Sequence, residues 1–374
     1  MTRLGHTHFV QSLEPLEGGG LGGAARQLHA ALLAAGSESR LVSTRSPAFS
    51  QSWPDVDQFV RSGPTKAFFA RGLRPLARRL CRDKNGGMVV HGHGFYVFPN
   101  AVFGACARRA GVPLVYHPHG MFEPWILGRS RGKKRLAHWL FEDANFKSAR
   151  LWRALTAKEA DQIRGQGLSA PIVVLPNGID LDEFQPAGRK VETGERTLLF
   201  LGRLHPKKGI ELLLSAWAQL EQARKGWVLC LAGPDEGGYA GKIKALIERA
   251  GLGSSVSLPG TLVGKQKLEA LQSADGFVLT SFSEGLPMAV LESMACGVPV
   301  LISHECNLPE VVEAGAGWAC GAEIDAVRSA LRELLAAGDA ERLQRGAAGR
   351  KLVESRFKWS VIADELNRAC VPLL

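Results

Sequence analysis

The sequence predicts an α/β protein with two doubly wound parallel sheets. Short apolar runs alternate with amphipathic segments along all 374 residues, which is the pattern of repeated strand–helix units. Near the middle, residues 185–194 are polar, contain Gly and Pro and show no periodicity, which predicts a linker. We therefore expect an N-terminal domain over 1–187 and a C-terminal domain over 195–357.

The individual elements follow from the position and length of each apolar run. In the N-terminal half, strands are predicted at 7–12, 39–43, 88–91 and 114–117, and helices near 23–35 and 100–110. In the C-terminal half, strands are predicted at 197–201, 227–232, 255–258, 276–280 and 299–302. The amphipathic segment 358–369 predicts a last helix.

Composition places the chain among soluble proteins with ordinary cores. Hydrophobic residues make up 45% and charged residues 22%, which is typical of globular domains. The seven cysteines form an odd number without a Cys-x-x-Cys pair, so we expect reduced thiols. No apolar stretch approaches the ~18 residues of a membrane span, and no signal-peptide core follows Met1. These features predict a cytoplasmic location.

A Gly-bounded loop with two cations follows the predicted strand 197–201. It runs from Gly202 to Gly209, carries Arg203 and Lys208, and leads into a helical pattern. Glycines allow close approach of the backbone, the cations neutralise charge, and the helix N-terminus attracts anions. The loop therefore predicts a diphosphate site. The alternative is an ordinary strand-to-helix turn with exposed basic residues.

Two glutamates lie eight positions apart in the segment 284–292. Glu284 precedes Gly285 and Pro287 and should occupy a loop, whereas Glu292 lies on the apolar run that follows. Ionised carboxylates accept charge-assisted hydrogen bonds from sugar and ribose hydroxyls. The pair therefore predicts a sugar-nucleotide site. Solvated surface acids on an amphipathic helix are the alternative.

Together these segments resemble the retaining glycosyltransferases of family 4, which have the GT-B architecture of two Rossmann-like domains facing a central cleft. The resemblance covers nearly the whole chain. It is carried by residues 22–24, 118–120, 175–180, 202–209, 284–292, 297–300 and 308–312, which stand in the family's order. Residues 118–125 and 306–310 resemble the bacterial surface-polysaccharide branch.

The resemblance implies transfer of a hexosyl group, with retention, from a UDP- or GDP-sugar to a hydroxyl of a lipid-linked glycan acceptor. The process would be exopolysaccharide, capsule or lipopolysaccharide biosynthesis. The nucleotide-diphosphate sugar is a co-substrate, and we expect no cofactor and no metal. The resemblance also implies that residues 358–374 cross back onto the first domain.

The resemblance assigns roles to individual residues. Arg203 and Lys208 would bind the diphosphate, and Glu292 the ribose. Glu284 would hold the donor sugar together with the backbone of Gly285, Leu286 and Pro287, and His119 would reach that sugar. Further donor-binding positions are Gly22, Gly23, Gly202, Gly260, Thr261 and Leu291. The catalytic set is His119, Glu284, Arg203 and Lys208.

The net charge of +10 is concentrated in two segments, 66–84 and 129–153. Both interleave Lys and Arg with Leu, Phe or Trp, as basic amphipathic helices do. We interpret them as attachment to the anionic inner face of the plasma membrane. The alternative is that the apolar residues cover the core and the cations are only solvated. No nucleic-acid reader motif is present, so we expect no nucleic-acid partner.

Two other functions stay open. The Gly18–Gly23 segment matches a dinucleotide fingerprint, and Arg45 rather than an acid follows the second strand, which would suit an NADP-dependent oxidoreductase. The second open function is that of a non-catalytic subunit that binds a sugar nucleotide.

Two patterns resemble metal sites without being assigned as such. The Asp180-Leu181-Asp182 motif lies at the predicted hinge. The four histidines at 91, 93, 117 and 119 fall in pairs at the ends of strands, where structural histidines are expected.

Overall fold

The computed structural model describes residues 4–62, 68–82, 87–123, 126–127, 131–187 and 194–374. The chain forms two compact units, Met1–Gly178 with Trp359–Leu374, and Ile179–Lys358. Residues 188–193 of the predicted linker lie outside the described residues, so the linker stays a prediction.

The first unit contains a parallel sheet. Its strands are β1 Gly5–Ser12, β2 Glu38–Arg45, β3 Val56–Val60, β4 Met88–His93, β5 Leu114–His117, β6 Ala149–Ala154 and β7 Ile172–Val174. Among the described residues they follow the order β3-β2-β1-β4-β5-β6-β7, and every pair is parallel. The carboxyl ends of all strands therefore meet at one edge, where doubly wound folds bind their ligands.

Helices cover both faces of this sheet. The described α-helices are Pro15–Ala34, Leu73–Arg82, Phe98–Ala110, Arg131–Ala137, Asp143–Ser148, Ala157–Arg164 and Trp359–Cys370, with a π-helix at His138–Glu142. One face packs an aromatic cluster that includes Phe9, Phe103 and Trp152. The other packs aliphatic side chains, including Leu28 and Ile362 of the first and last helices. Both faces are thus buried, as a parallel sheet requires.

The first helix begins earlier than the sequence predicts. It spans Pro15–Ala34 and is kinked at Gly19, whose φ is 49°. The glycines from 18 to 22, which precede the predicted start at residue 23, therefore lie within this kinked helix. Gly22 is required here, because a Cβ would lie 2.5 Å from the Ser12 carbonyl oxygen of β1.

The second unit contains a second parallel sheet. Its strands are β8 Arg196–Leu201, β9 Trp227–Ala232, β10 Val256–Gly260, β11 Gly276–Leu279, β12 Val300–Ser303 and β13 Gly317–Cys320, in the order β10-β9-β8-β11-β12-β13 among the described residues. The surrounding helices are Ile210–Ala218, Tyr239–Arg249, Gly264–Ser273, Met288–Ala295, Glu310–Glu313, Ile324–Ala336 and Asp339–Arg356. Ile179 and Phe184 pack in this unit's core.

The predicted fold class, two doubly wound parallel sheets, is confirmed. All seven cysteines carry free thiols. Among the described helices, none is long and apolar enough to cross a membrane.

Candidate active site

The loops at the carboxyl edge of the second sheet approach one another through glycines. Gly202 follows β8, and its N–H donates to the Ala232 carbonyl of β9 at 3.0 Å. Gly233, with φ 149°, passes so close that a Cβ would lie 1.8 Å from the Gly202 oxygen. A side chain at Gly233 would therefore separate the loops after β8 and β9.

The predicted diphosphate loop forms a 3₁₀ turn, Pro206–Lys208, that ends at Gly209. Gly209 has φ 67°, and a Cβ there would lie 2.0 Å from the Thr280 carbonyl oxygen. The Thr280 hydroxyl donates to the Gly209 carbonyl at 3.1 Å, and the Phe282 N–H donates to the Lys207 carbonyl at 2.8 Å. These contacts hold Lys208 beside the loop after β11.

Lys208 and Glu284 form an ion pair at this edge. Lys208 Nζ lies 2.6 Å from Glu284 Oε1, and the two side chains are only 17% and 11% exposed. The Ser281 hydroxyl donates to the same carboxylate oxygen. Asn307 Nδ2 donates to the Glu284 carbonyl at 2.6 Å. The structure thus joins a cation from the first predicted motif to a carboxylate from the second.

Arg203 does not join this pair. Its side chain is 63% exposed, and its Nη1 lies 2.6 Å from Glu236 Oε2. The sequence predicts Arg203 and Lys208 on one diphosphate, and the structure pairs them with different carboxylates. The shared role of Arg203 stays a prediction.

Glu292 lies on the helix Met288–Ala295 and faces Lys267, a residue that sequence reasoning missed. Lys267 Nζ lies 2.7 Å from Glu292 Oε1 and 5.4 Å from the centre of the Phe184 ring. Burial raises the pKa of the Glu292 carboxyl, and the Lys267 ammonium partly offsets this. Glu292 is therefore a nearly buried carboxylate with one cationic partner.

The other predicted donor-binding positions of this unit lie at the same edge. Gly260 ends β10 with φ 84°, and its carbonyl accepts from the Gly233 N–H at 2.8 Å. Thr261 is exposed, Gly285 and Leu286 are half-buried, and Pro287 is buried. Leu291 is 0% exposed and belongs to the core, so its side chain supports the helix.

In the first unit, His119 follows β5 in a left-handed conformation, with φ 53°, and Gly120 has φ 80°. A non-glycine residue in this region is uncommon and costs backbone energy. The Gly120 N–H donates to the Glu159 carboxylate, which anchors the turn. Burial, and to a lesser extent the charge of Arg153, lowers the pKa of His119 to about 3. His119 is therefore neutral.

His119 belongs to an array of six histidines on one face of the first sheet. Its members are His6 and His8 on β1, His91 and His93 on β4, His117 on β5, and His119. Four pairs have ring nitrogens 2.9 to 3.0 Å apart: His6–His91, His8–His93, His91–His117 and His93–His119. Sequence reasoning named the last four and missed those of β1. The sequence signal for them is the repeated His-x-His spacing. Only the strand order shows that these histidines contact one another.

Two groups in this array have metal-ligand spacing. The ring nitrogens of His6, His8 and His91 lie within 4.8 Å of one another, as do those of His93, His117 and His119. The buried guanidinium of Arg153 contacts His117 at 3.3 Å and opposes a second cation there. The absence of a metal stays a prediction.

The remaining predicted positions have simpler surroundings. Gly23 borders open space, because no atom of the described residues would lie within 4 Å of a Cβ at this position. Arg45 donates to the Phe49 carbonyl at 2.7 Å. Asp180 Oδ1 accepts the N–H groups of Asp182 and Glu183 at 3.0 and 3.2 Å, so it caps a turn.

The two basic segments differ in their apolar residues. On the helix Leu73–Arg82, Leu73 and Leu76 are buried in the core, whereas Arg78, Arg79 and Arg82 are exposed. Those leucines cover the sheet, as the alternative interpretation held. Residues 63–67 and 83–86 lie outside the described residues, as do 124–125 of the predicted motif and 128–130 of the second segment.

The second basic segment exposes its apolar residues. Trp139 is 77% exposed, and Leu136 and Leu140 are 57% and 59% exposed. We call these three residues the Trp139 patch. Arg135 beside them is also exposed.

Comparison with known proteins identifies the class. A model described as "Glycosyltransferase Family 4" matches residues 18–183, and one described as "Glycosyl transferases group 1" matches residues 182–352. The glycogen synthase of Mycobacterium tuberculosis is 29% identical over an alignment of 381 positions, which covers 93% of this chain and 90% of that protein. A GDP-mannose-dependent alpha-(1-6)-phosphatidylinositol monomannoside mannosyltransferase of the same organism is 29% identical over 217 residues, 54% of this chain and 56% of that protein.

Among solved structures, Anabaena HepE in complex with UDP and glucose superimposes with a TM-score of 0.75 at 18% identity, and 99% of each chain is covered. The sheets and the matched models define a glycosyltransferase of the GT-B fold. The chain belongs to glycosyltransferase family 4, with the group 1 domain in its second half.

Proposed function

We propose that this chain is a retaining hexosyltransferase that uses a UDP- or GDP-sugar. The acceptor is the hydroxyl of a lipid-linked glycan in bacterial exopolysaccharide, capsule or lipopolysaccharide biosynthesis. The observation that carries the proposal is the Lys208–Glu284 pair at the carboxyl edge of the second sheet. A relative whose name states that it depends on GDP-mannose and a structural neighbour solved with UDP and glucose support the donor class. The phosphatidylinositol monomannoside in the name of that relative supports the acceptor class.

The pair suits cleavage of a glycosyl diphosphate. An ammonium has three N–H donors, of which one contacts Glu284, so two remain for phosphate oxygens. In the reaction the bond from the anomeric carbon to the diphosphate breaks and a bond to the acceptor oxygen forms. The departing diphosphate carries the developing charge, which Lys208 stabilises in place. A diphosphate oxygen takes the acceptor proton on the same face, which retains the anomeric configuration.

The acidic residues divide the donor between them. Glu284 receives its lysine and serine contacts at Oε1. Its second oxygen, Oε2, accepts hydrogen bonds from hydroxyls of the donor sugar. Glu292 accepts from the ribose hydroxyls beside Lys267. Arg203 completes the diphosphate contacts, and His119 contacts the donor sugar.

Lys208 supplies positive charge at the leaving group, so we propose that catalysis needs no metal ion. Turnover should persist in excess chelator. Loss of turnover in chelator with rescue by Mg²⁺ or Mn²⁺ would contradict this.

A thermal-shift panel tests the donor. UDP-, GDP- and ADP-sugars are compared with NADPH, and the cognate nucleotide sugar at a hundred times its Kd should stabilise the protein by about 2.7 kcal/mol. A response to NADPH alone would favour the oxidoreductase that uses the Gly18–Gly23 segment, which contains the kink of the first helix. Binding without sugar transfer to any lipid-linked acceptor would indicate a non-catalytic subunit.

A further inference from the structure

The six histidines of the array form two separate hydrogen-bonded chains. The first, the Arg153 chain, runs across the sheet from one fixed polar group to another. Arg153 Nη1 contacts His117 Nδ1 at 3.3 Å, His117 Nε2 contacts His91 Nδ1 at 3.0 Å, and His91 Nε2 contacts His6 Nδ1 at 2.9 Å. His6 Nε2 then contacts Asn367 Oδ1 at 2.8 Å.

Both ends of the Arg153 chain assign the same direction to its protons. A guanidinium only donates, so Nδ1 of His117 accepts, and its proton lies on Nε2. At the other end Asn367 Oδ1 accepts, so His6 also carries its proton on Nε2. His91 between them must then donate through Nε2 as well. The three rings are neutral, and each donates toward Asn367.

The second chain, the His119 chain, has no such fixed ends. His8 Nδ1 contacts His93 Nε2 at 3.0 Å, and His93 Nδ1 contacts His119 Nε2 at 2.9 Å. Nε2 of His8 is buried and has no partner among the described residues. His119 is half-buried, and its Nδ1 has no hydrogen bond within the described part of the chain.

Two physical arguments assign the direction of the His119 chain. A proton on Nε2 of His8 would be a buried N–H without an acceptor, which proteins avoid more strictly than an unused lone pair. The rings of the two chains also stack, His8 on His91 at 4.4 Å and His93 on His117 at 4.3 Å. Dipoles stacked side by side favour opposite directions. Both arguments place the protons on Nδ1, so the chain donates toward His119.

We propose that the His119 chain holds His119 as a neutral hydrogen-bond donor with its proton on Nδ1, and that His8 and His93 are positioning residues for it. The proposal rests on the proposed function and deepens it. The donor N–H faces an oxygen of the nucleotide sugar, either a sugar hydroxyl or a phosphate oxygen. His119 then takes no proton in the reaction, which leaves the acceptor proton to the departing diphosphate.

The backbone supports this assignment. His119 and Gly120 both have positive φ, and the Glu159 carboxylate holds the Gly120 N–H. The carboxylate also accepts the Leu155 N–H at 2.6 Å, so the turn is anchored to the end of β6. The imidazole is thus fixed at its backbone and at Nε2, with only Nδ1 available to a ligand.

The tautomers are measurable in the full-length wild-type protein. Long-range ¹H–¹⁵N spectra of protein labelled with ¹⁵N-histidine should show His8, His93 and His119 protonated on Nδ1. His6, His91 and His117 should be protonated on Nε2. A proton on Nε2 of His119, or on both of its nitrogens at neutral pH, would overturn the proposal. So would a stoichiometric metal ion in the purified protein, because a ligated nitrogen carries no proton.

A pair of variants on β4 separates positioning from structural support. His93 and His91 are both buried, both stacked and both bonded through two ring nitrogens, but only His93 contacts His119. H93F should lower kcat by about tenfold or more and abolish the single tautomer of His119. H91F should destabilise the fold, whereas kcat and the tautomer of His119 should stay as in the wild type.

The conservative variant H93Q, which keeps a donor and an acceptor, should recover part of the lost kcat. Equal loss of kcat in H93F and H91F with an unchanged His119 spectrum would overturn the positioning role. Absence of turnover in the wild type with every nucleotide sugar would instead refute the proposed function. The tautomer measurement stands independently of that outcome.

Discussion

At the scale of single residues, Lys208 and Glu284 depend on each other, because each neutralises a charge that is mostly shielded from water. K208A should lower kcat more than tenfold, since a charge-assisted contact contributes about 1.5–3 kcal/mol. E284Q should lower kcat more than it weakens nucleotide binding. The losses of the two variants should not add in the double variant, because they share one interaction.

Steady-state kinetics of the three variants tests this prediction. K265A is a matched control, because Lys265 is 88% exposed and pairs with a neighbouring glutamate on its own helix. Near-normal turnover of K208A would place the diphosphate elsewhere.

Glu292 gives a pH dependence with a definite sign. Burial raises its pKa, so on acidification the carboxyl takes up a proton earlier than an ordinary glutamate does. The protonated form accepts ribose hydrogen bonds poorly. Affinity for the cognate nucleotide sugar should therefore fall as the pH drops through this raised pKa, above the usual range of glutamate. E292Q should bind weakly at all pH values and lose this dependence, which calorimetry would show; a wild-type affinity that is constant over this range would contradict the ribose role.

At the scale of elements, the Trp139 patch carries the proposed attachment to a membrane. Exposed apolar residues beside cations insert among anionic headgroups. W139A with L140A should weaken binding to vesicles containing phosphatidylglycerol, and so should added salt. R78E, R79E and R82E together should act in the same direction through charge alone.

Leu343 provides the control for this prediction. It is 72% exposed on the second unit, so L343A should leave vesicle binding unchanged. If the wild type ignores anionic vesicles at low salt, the patch has another role.

The same scale shows what the sequence could predict. β8 and β11 are continuous apolar runs, and the sequence predicts both within one residue of their observed bounds. β6 was missed because Arg153 interrupts its apolar run, although that arginine is 1% exposed. β7 has three residues, and β3 is largely half-buried, so neither shows a strong period.

The contacts within the candidate site could not be predicted from the sequence without the fold. The sequence separately marks Lys208 and Glu284, but they lie 76 positions apart, and only the adjacency of β8 and β11 brings them together. Lys267 lies in no recognisable motif, and only its ion pair with Glu292 in the fold identifies it as a site residue. The array of histidines likewise needs the β1-β4-β5 strand order.

At the scale of the whole molecule, the buried histidines link the stability of the first unit to pH. Burial lowers the pKa of His6 to about 4 and that of His119 to about 3. It also lowers the pKa values of the other four members of the array and of His29. Unfolding returns each histidine to an ordinary value near 6.5. Below that pH the unfolded chain binds protons that the folded chain excludes, so acid favours unfolding.

Two buried carboxyls act in the opposite direction. Burial raises the pKa of Glu142 to about 7 and also raises that of Glu159, so the folded state binds their protons more tightly as the pH falls. The histidines outnumber them, and each histidine contributes about 1.4 kcal/mol per pH unit below 6.5. The free energy of unfolding of the first unit should therefore fall steeply between pH 6.5 and 5.5 and continue to fall toward the pKa of His6.

Urea unfolding at a series of pH values, followed by the NMR signals of the array's ¹⁵N-labelled histidines, which all lie in the first unit, measures this slope. H91F removes one of the titrating groups, so it should take up about one proton fewer on unfolding than the wild type does. Its unfolding free energy should therefore change less steeply with pH. H304N is the control, because His304 is exposed and lies in the second unit; its slope for the first unit should match the wild type. A free energy of unfolding that stays level or rises as the pH falls from 6.5 to 5.5 would show that these histidines are not held neutral by burial.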